Sequence, residues 1–481
     1  MKKIWILLVL LSVIACKTDK SKEMTTEVKT DSIAPIDDSI VEKAVIYEAN
    51  IRQYSPEGTF AEFTKDIPVI KELGVKIIWV MPINPISEVR RKATGDKFTT
   101  DIPDEKEREK YLGSYYAVSD YKAVNPEFGN LEDFKNLVKT AHENGIYVIL
   151  DWVPNHTGWD HPWITEHPDF YTHNEKGEIT DPLNPDTGES WGWTDTADLN
   201  YDNPEMRKAM ISDMKYWIET ADIDGFRCDV ASAVPTDFWE KATSELRKQK
   251  SIFMLAEAEK PELMKGTEDF DMQYGWEMLH IMNDISKGEK TVKAIDDYMI
   301  KMDTVLEKDD IDMYFITNHD ENSWSGTANE RYGNSKKAFT TLIYALPGMP
   351  LIYSGQEYDL DHRLKFFEKD SIPKVKGPYF EFLKELGALK NNNVALNGGK
   401  DKAGYKRLST SDDMHILAFE REKDGNKLLY IANLSNEPIQ ATVDYSGAFT
   451  DYFSGESITL SPESKFQLTP WDYFILVPKS E

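Results

Sequence analysis

From residue 44 onward, short apolar runs alternate with amphipathic stretches, and this alternation limits the fold more than any other feature of the chain. Val45–Ile51 reads as a first strand, Lys76–Met81 as a second and Ile146–Leu150 as a third. The fourth spans 223–228, the fifth Ile252–Ala256, and a weak sixth Phe270–Met272. Met313–Thr317 and Pro350–Tyr353 complete the set. Helical spacing fills Phe60–Leu73, Leu131–Asn144, Pro204–Thr220, Phe238–Lys248 and Ser335–Ala345, with Gly74 and Gly145 as stops after the first two. Near-continuous apolar strands separated by helices imply a parallel sheet covered on both faces. Repeated over about 330 residues, the pattern predicts an α/β chain folded as a (β/α)₈ TIM barrel with insertions.

A barrel of this kind carries its chemistry at the C-terminal ends of its strands. Polar residues collect there: Asp151, Asn155 and His156 after the third strand, Arg227 and Asp229 at the fourth, Glu257 after the fifth, and Asn318-His319-Asp320 after the seventh. Strand side chains alternate, so Arg227 and Asp229 share a face, opposite Phe226 and Cys228. A neighbouring guanidinium favours an ionised carboxylate, so Asp229 is expected to be a charged nucleophile with a lowered pKa. A structural ion pair would leave the same pattern. Metal-assisted hydrolysis finds little support, because no helical His-x-x-x-His occurs and His161, His167 and His173 lie in a Pro- and Asn-containing loop. Glycoside hydrolysis needs one charged and one protonated carboxyl. Glu257, at the end of an apolar strand, suits the acid because desolvation raises a carboxyl pKa. Glu259 competes for that role on the same strand face.

Asp151-Trp-Val-Pro-Asn155-His156, Gly225-Phe-Arg227-Cys-Asp229, Glu257 and Phe315-Ile-Thr-Asn318-His319-Asp320 resemble, in order, the four signature regions of the α-amylase family of glycoside hydrolases. Gly74 to Pro82, Ala197-Asp198-Leu199-Asn200 and Gly348-Met-Pro350 with Gly355-Gln-Glu357 extend the likeness over 44–481. The resemblance implies a retaining mechanism on α-glucans or maltooligosaccharides with no organic cofactor. Asp229 would attack the anomeric carbon, Glu257 would act as acid and then base, and Asp320 would grip sugar hydroxyls. His156, His319 and Arg227 would hold the sugar and the nucleophile, and Tyr116 would stack on the sugar. Asn155 and Asp198 match side chains that bind a structural calcium in many members; others keep them as hydrogen-bond partners. The chain departs from the family at Val230, where many α-1,4-specific members have alanine. It departs again at Ser232 and Ala233, where many carry Lys-His on the acceptor side.

The segment 158–203, rich in Trp, Asp, Pro and Gly, occupies the place of the family's small B domain, and Trp191-Gly-Trp193 offers either a sugar platform or internal packing. Residues 87–112 read as a solvated, charged excursion. The barrel is expected over 41–157 and 204–392, and short strands from 393 to 481 read as an antiparallel β-sandwich. At the N-terminus, Lys2 and Lys3, the apolar run Ile4–Leu11 and Val13-Ile14-Ala15 precede Cys16, the pattern of a signal peptide. Cys16 after Ala15 resembles a bacterial lipobox, which implies export and a lipid anchor in a membrane. Residues 17–40 read as a disordered tether. With Cys16 lipidated, Cys228, the other of two cysteines, has no disulfide partner. The formal charge of −28 argues against nucleic acid and anionic membrane surfaces as partners. Glycan-uptake partners leave no signature in the sequence.

Overall fold

The computed structural model describes residues 33–94, 97–266 and 269–479. The expected signal peptide, Cys16 and residues 17–32 lie outside the described residues.

Eight parallel strands close a barrel in sequence order. They are β1 (Ile46–Ala49), β2 (Ile77–Val80), β3 (Tyr147–Trp152), β4 (Gly225–Cys228), β5 (Phe253–Ala256), β6 (Met272–Tyr274), β7 (Ile311–Tyr314) and β8 (Met349–Tyr353). Around them lie α1 (Phe60–Glu72), α2 (Leu131–Glu143), α3 (Pro204–Ala221), α4 (Thr236–Arg247), α5 (Trp276–Ser286), α6 (Val292–Val305), α7 (Lys336–Ala345) and α8 (Pro378–Asn392). Side-chain caps fix several starts. The Asn130 side chain accepts from the Glu132 and Asp133 N–H groups, and Asn203 does the same for Glu205 and Met206 ahead of Pro204.

Several strands are offset from the sequence reading, the third ending two residues late at Trp152 and the fourth starting two late at Gly225. The first ends at Ala49, because the Asn50 side chain caps a short helix over Ile51–Tyr54. The sixth starts two residues late, because Asp271 spends its carboxylate on the Met254 N–H and Arg247. The seventh starts two residues early, at Ile311. Between β5 and β6 the only helical segment among the described residues is the single turn Pro261–Leu263.

Alternation sorts the strand residues. Ile46, Ile77, Trp79, Ile149, Leu255, Met313 and Leu351 point inward and form one buried cluster, while Val148, Phe226 and Met254 pack outward against the helices. Ile36, Val41 and Ala44 join the inner cluster, and Tyr147 donates to the Ala34 carbonyl. Residues 33–40, expected as part of the tether, therefore pack against the N-terminal end of the barrel. The apolar side chains of this segment find a ready hydrophobic surface there.

The insertion after β3 is anchored by an antiparallel pair, His156–Gly158 with Thr196–Asp198. Beyond α8, a six-stranded antiparallel sheet runs in the order 404–407, 416–423, 426–433, 473–478, 447–451, 457–460. A two-stranded sheet, 439–442 with 465–468, shares its core through Ala441, Leu468, Leu429 and Leu476.

Candidate active site

At the C-terminal end of the barrel the inward positions turn polar. Two residues beyond Ile46, Ile149 and Leu255 stand Glu48, Asp151 and Glu257, and two beyond Arg227 stands Asp229. Arg227 is fully buried and organises them. One terminal nitrogen, Nη1, lies 2.9 Å from both Asp151 Oδ1 and Asp229 Oδ1. The other, Nη2, lies 2.9 Å from Glu257 Oε2, and Nε donates to the Tyr274 hydroxyl at 3.2 Å. The guanidinium also sits 4.9 Å from the Trp79 ring. Asp151 is fully engaged, since its Oδ2 accepts from Trp79 Nε1 at 3.1 Å and from the Tyr116 hydroxyl at 3.2 Å.

Two backbone details set Asp229 beside Glu257. Gly225 has φ +146, and a Cβ there would stand 1.9 Å from the Phe253 carbonyl oxygen, so only glycine lets β4 lie this close to β5. Val230 sits in the left-handed region at φ 42, a costly conformation for a β-branched residue. That turn aims the Val230 N–H at Glu257 Oε2, 2.8 Å away. The Asp229 and Glu257 side chains come within hydrogen-bonding reach of each other.

The shift of the Asp229 carboxyl runs opposite to the sequence expectation. Burial and the adjacent Glu257 push it well above the usual range, and Arg227 opposes this without prevailing. The reason is that one guanidinium is divided among three carboxyls.

A second relay faces them. His319 Nδ1 lies 2.5 Å from Glu48 Oε1, and Nε2 lies 2.8 Å from the Tyr116 hydroxyl. Burial works against the imidazolium, but the Asp320 and Glu48 carboxylates and the Glu48 hydrogen bond outweigh it and hold His319 up at about 9. The ring therefore donates on both nitrogens, to Glu48 and to Tyr116, and Tyr116 passes its own proton toward Asp151. Asp320 Oδ2 stands 3.3 Å from His319 Nε2. His156 is the contrast: burial lowers it to about 4, so it is neutral.

These groups open on a cavity of about 710 Å³, within the range for a small-molecule site. Asp229, Glu257, Asp320, Tyr116, His156 and His319 all line it, and Arg227 lies beneath as support. Trp193 lines it too, tilted against His156 at 5.7 Å, with Trp191 packed on its outer side at 4.6 Å. The excursion 87–112 is not merely a solvated loop. Lys92 reaches the cavity wall, donates to the Gly192 carbonyl at 3.1 Å and lies 3.6 Å from Asp195, because that carboxylate and carbonyl offer the ammonium partners across the cleft.

The molecule has known relatives. Residues 25–374 match the alpha-amylase catalytic-domain family. The chain belongs to the α-amylase family of glycoside hydrolases. It is similar to alpha-amylase 3 of Dictyoglomus thermophilum, 25% identical over 461 residues, covering 82% of this chain and 85% of that protein. Alpha-amylase MalA of Haloarcula japonica is 23% identical over 427 residues, covering 86% of this chain; the match spans 59% of the Haloarcula protein. Among solved structures, the maltogenic alpha-amylase AmyB of Thermotoga neapolitana superposes with a TM-score of 0.78 at 25% identity, covering 90% of this chain and 98% of that one.

As a member of the α-amylase family the chain is a glycosidase, and its cavity holds the pair of carboxyls that glycoside hydrolysis requires. Asn155 and Asp198 are the residues expected to hold calcium. Asn155 Nδ2 faces His156 Nδ1 at 3.3 Å. Burial lifts the Asp198 carboxyl to about 6. Among the described residues no three His, Cys, Asp or Glu side chains cluster as a metal site, and no step below runs through an ion.

Sequence reasoning missed Glu48, Trp79, Tyr274, Trp324 and Phe366. A glutamate inside the apolar strand Val45–Ile51 was a readable signal for Glu48, since buried charges are paired. Trp324 and Phe366, whose rings meet at a tilt 5.2 Å apart on the cavity rim, come from the short helical turn Glu321–Ser325 and from a loop, and carry no pattern.

Proposed function

We propose that this protein is a retaining, endo-acting hydrolase of α-1,4-glucosidic bonds in starch-like glucans and maltooligosaccharides. The observation that carries the reading is the Asp229–Glu257 pair, both 2.9 Å from one buried guanidinium and facing one cavity. Retention requires two carboxyls close enough for one to attack as the other protonates. Glu257, acting as the acid, gives its proton to the glycosidic oxygen beside it. The Asp229 carboxylate attacks the anomeric carbon and forms a glycosyl ester while the C–O bond to the leaving sugar breaks. Glu257, now a carboxylate, removes a proton from water. The water oxygen bonds to the anomeric carbon, the ester breaks, and the Asp229 carboxylate is restored. Arg227 holds the nucleophile in place throughout. Imidazolium His319, neutral His156, Asp320 and the Tyr116 ring grip the sugar undergoing attack.

A second reading is a cyclomaltodextrinase, neopullulanase, maltogenic amylase or α-glucosidase. Val230 in place of alanine and Ser232-Ala233 in place of Lys-His favour it, as does the similarity to a maltogenic amylase. A non-catalytic glycan-binding relative is disfavoured by the intact Asp229, Glu257 and Asp320. The product profile on starch, pullulan and cyclodextrin decides among these. Early release of mixed long oligomers from starch is expected, and glucose alone from the start would reject endo action.

Export with a lipid on Cys16 is a separate proposal, supported by the N-terminal pattern. Labelling by a fatty-acid analogue should disappear in Cys16→Ser, and persistence would refute it. A structural calcium is likewise a proposal, supported by the resemblance at Asn155 and Asp198. A chelator-induced fall in melting temperature, reversed by calcium, would establish it.

A further inference from the structure

Trp324 is the most exposed aromatic ring of the cavity, and the mechanism leaves it without a task. It stands on the short helical turn Glu321–Ser325, which follows Asp320 directly. At 57% exposure most of its side chain lies in water, whereas the other described tryptophans are buried or half-buried.

The indole ends a run of rings. Tyr116 lies nearly parallel to Phe366, at 12° and 6.5 Å between centroids. Phe366 meets Trp324 at 43° and 5.2 Å, and Phe367 stands 6.0 Å from the same indole. Exposure rises along the run: Tyr116 is buried, Phe366 is half-buried and Trp324 is exposed. All four rings line the cavity that holds Asp229 and Glu257. An aromatic wall therefore leads from the ring at the attacked sugar out to solvent.

Buried polar side chains fix this wall in place. Asn322, in the same turn as Trp324, donates to the His362 carbonyl at 3.1 Å and accepts from the Leu364 N–H at 2.8 Å. It thereby ties the turn to the segment that carries Phe366. Gln53, also buried, donates to the Lys365 and Glu368 carbonyls at 2.8 and 2.9 Å and accepts from the Asp370 N–H at 2.6 Å. The Arg52 guanidinium donates to the Phe366 carbonyl at 3.3 Å. Rings held this way are in position before a ligand arrives, so binding loses little to ordering them. A large apolar face kept in water at the rim of a binding cavity marks a contact surface. The flat face of an indole matches the C–H face of a pyranose ring, and its N–H remains free to meet a hydroxyl.

We propose that Trp324, backed by Phe366, is a specificity-determining residue for chain length: its ring stacks on a glucosyl unit of the substrate beyond the one undergoing attack. The proposal rests on the hydrolytic reading above and adds a second point of grip to it. Trp324 touches none of the reacting atoms.

The test compares maltoheptaose with α-glucosyl fluoride, which offers only the sugar undergoing attack, in wild type, Trp324→Ala and Trp324→Phe. For Trp324→Ala the ratio of kcat/KM on maltoheptaose to that on the fluoride should fall about 10-fold, the effect of losing roughly 60 Å² of apolar contact. Trp324→Phe, which keeps a flat ring, should recover most of the ratio. Calorimetric titration of maltoheptaose into Asp229→Asn, with and without Trp324→Ala, reads the same contact without turnover, and Kd should weaken about 10-fold. Equal losses on both substrates would overturn the proposal and make Trp324 a support for Asp320. An unchanged ratio and Kd would overturn it as well; if Trp324→Ala then also converted a dimer to a monomer on gel filtration, the wall would be an interface between two copies of the chain. Wild type that cleaves neither substrate would sink the hydrolytic reading itself, while the Kd comparison still decides the role of Trp324. Circular dichroism and melting temperature confirm that each variant is folded.

Discussion

At the N-terminal end of the barrel, Ile46, Ile77, Ile149, Leu255 and Leu351 meet Ile36 and Val41 in a dry apolar layer. At the other end, two residues further along three of the same strands, the inward positions are Glu48, Asp151 and Glu257. Both layers are buried, and the same alternation builds both. They differ in what burial demands. The apolar layer gains stability from every methylene removed from water. The polar layer costs desolvation energy that Arg227, Tyr116, Trp79 and His319 offset only in part, since the Asp229 carboxyl stays well above the usual range. Stability is thus concentrated at one end and reactivity at the other.

Substitutions can break that contrast. Asp229→Asn should cost the most, about 10⁴-fold or more in kcat, by analogy with the loss of a nucleophile, with the melting temperature preserved or raised. Arg227→Met comes next. It strands three buried carboxyls and should destabilise the fold by about 3–5 kcal/mol, while lowering activity per folded molecule by orders of magnitude. Leu351→Ala, in the apolar layer, should destabilise by about 2–5 kcal/mol yet leave kcat/KM of the folded fraction within a few-fold. Comparable losses of activity from Leu351→Ala and Arg227→Met would erase the distinction between the two layers. Denaturant titration and steady-state kinetics on the same preparations provide both readings.

The smallest effect concerns pH. His319 is held at about 9, above an ordinary histidine, so its pairing stabilises the native state fully below the unfolded pKa near 6.5. That contribution is lost as pH rises through about 9. Glu48→Gln removes the main hydrogen-bonded anion. It should lower the His319 pKa and flatten the decline of melting temperature between pH 7 and 9. An unchanged profile would show that Asp320 alone holds the imidazolium.

Much of this contrast was legible in the chain itself. The near-continuous apolar strands and glycine-ended helices give the barrel, and charged residues directly after apolar strands mark its working end. Asp229, Glu257 and His319 stood out because they interrupt or terminate apolar runs. What escaped was set by packing between distant segments. The raised Asp229 carboxyl follows from Arg227 being shared with Asp151 and Glu257, which are 76 and 30 residues away in sequence. The cavity rim at Lys92, Trp324 and Phe366 comes from loops and one short helical turn without periodicity. Residues 33–40 looked too polar to pack, yet Ile33, Ile36 and Ile40 suffice once the barrel end supplies an apolar surface.

The most direct test is to trap the glycosyl–enzyme ester. A fluorinated maltosyl fluoride that reacts quickly and hydrolyses slowly should add one maltosyl group per protein, and peptide mass spectrometry should find it on Asp229. An adduct on Glu257 or Glu259, or products released with inverted anomeric configuration, would contradict the account.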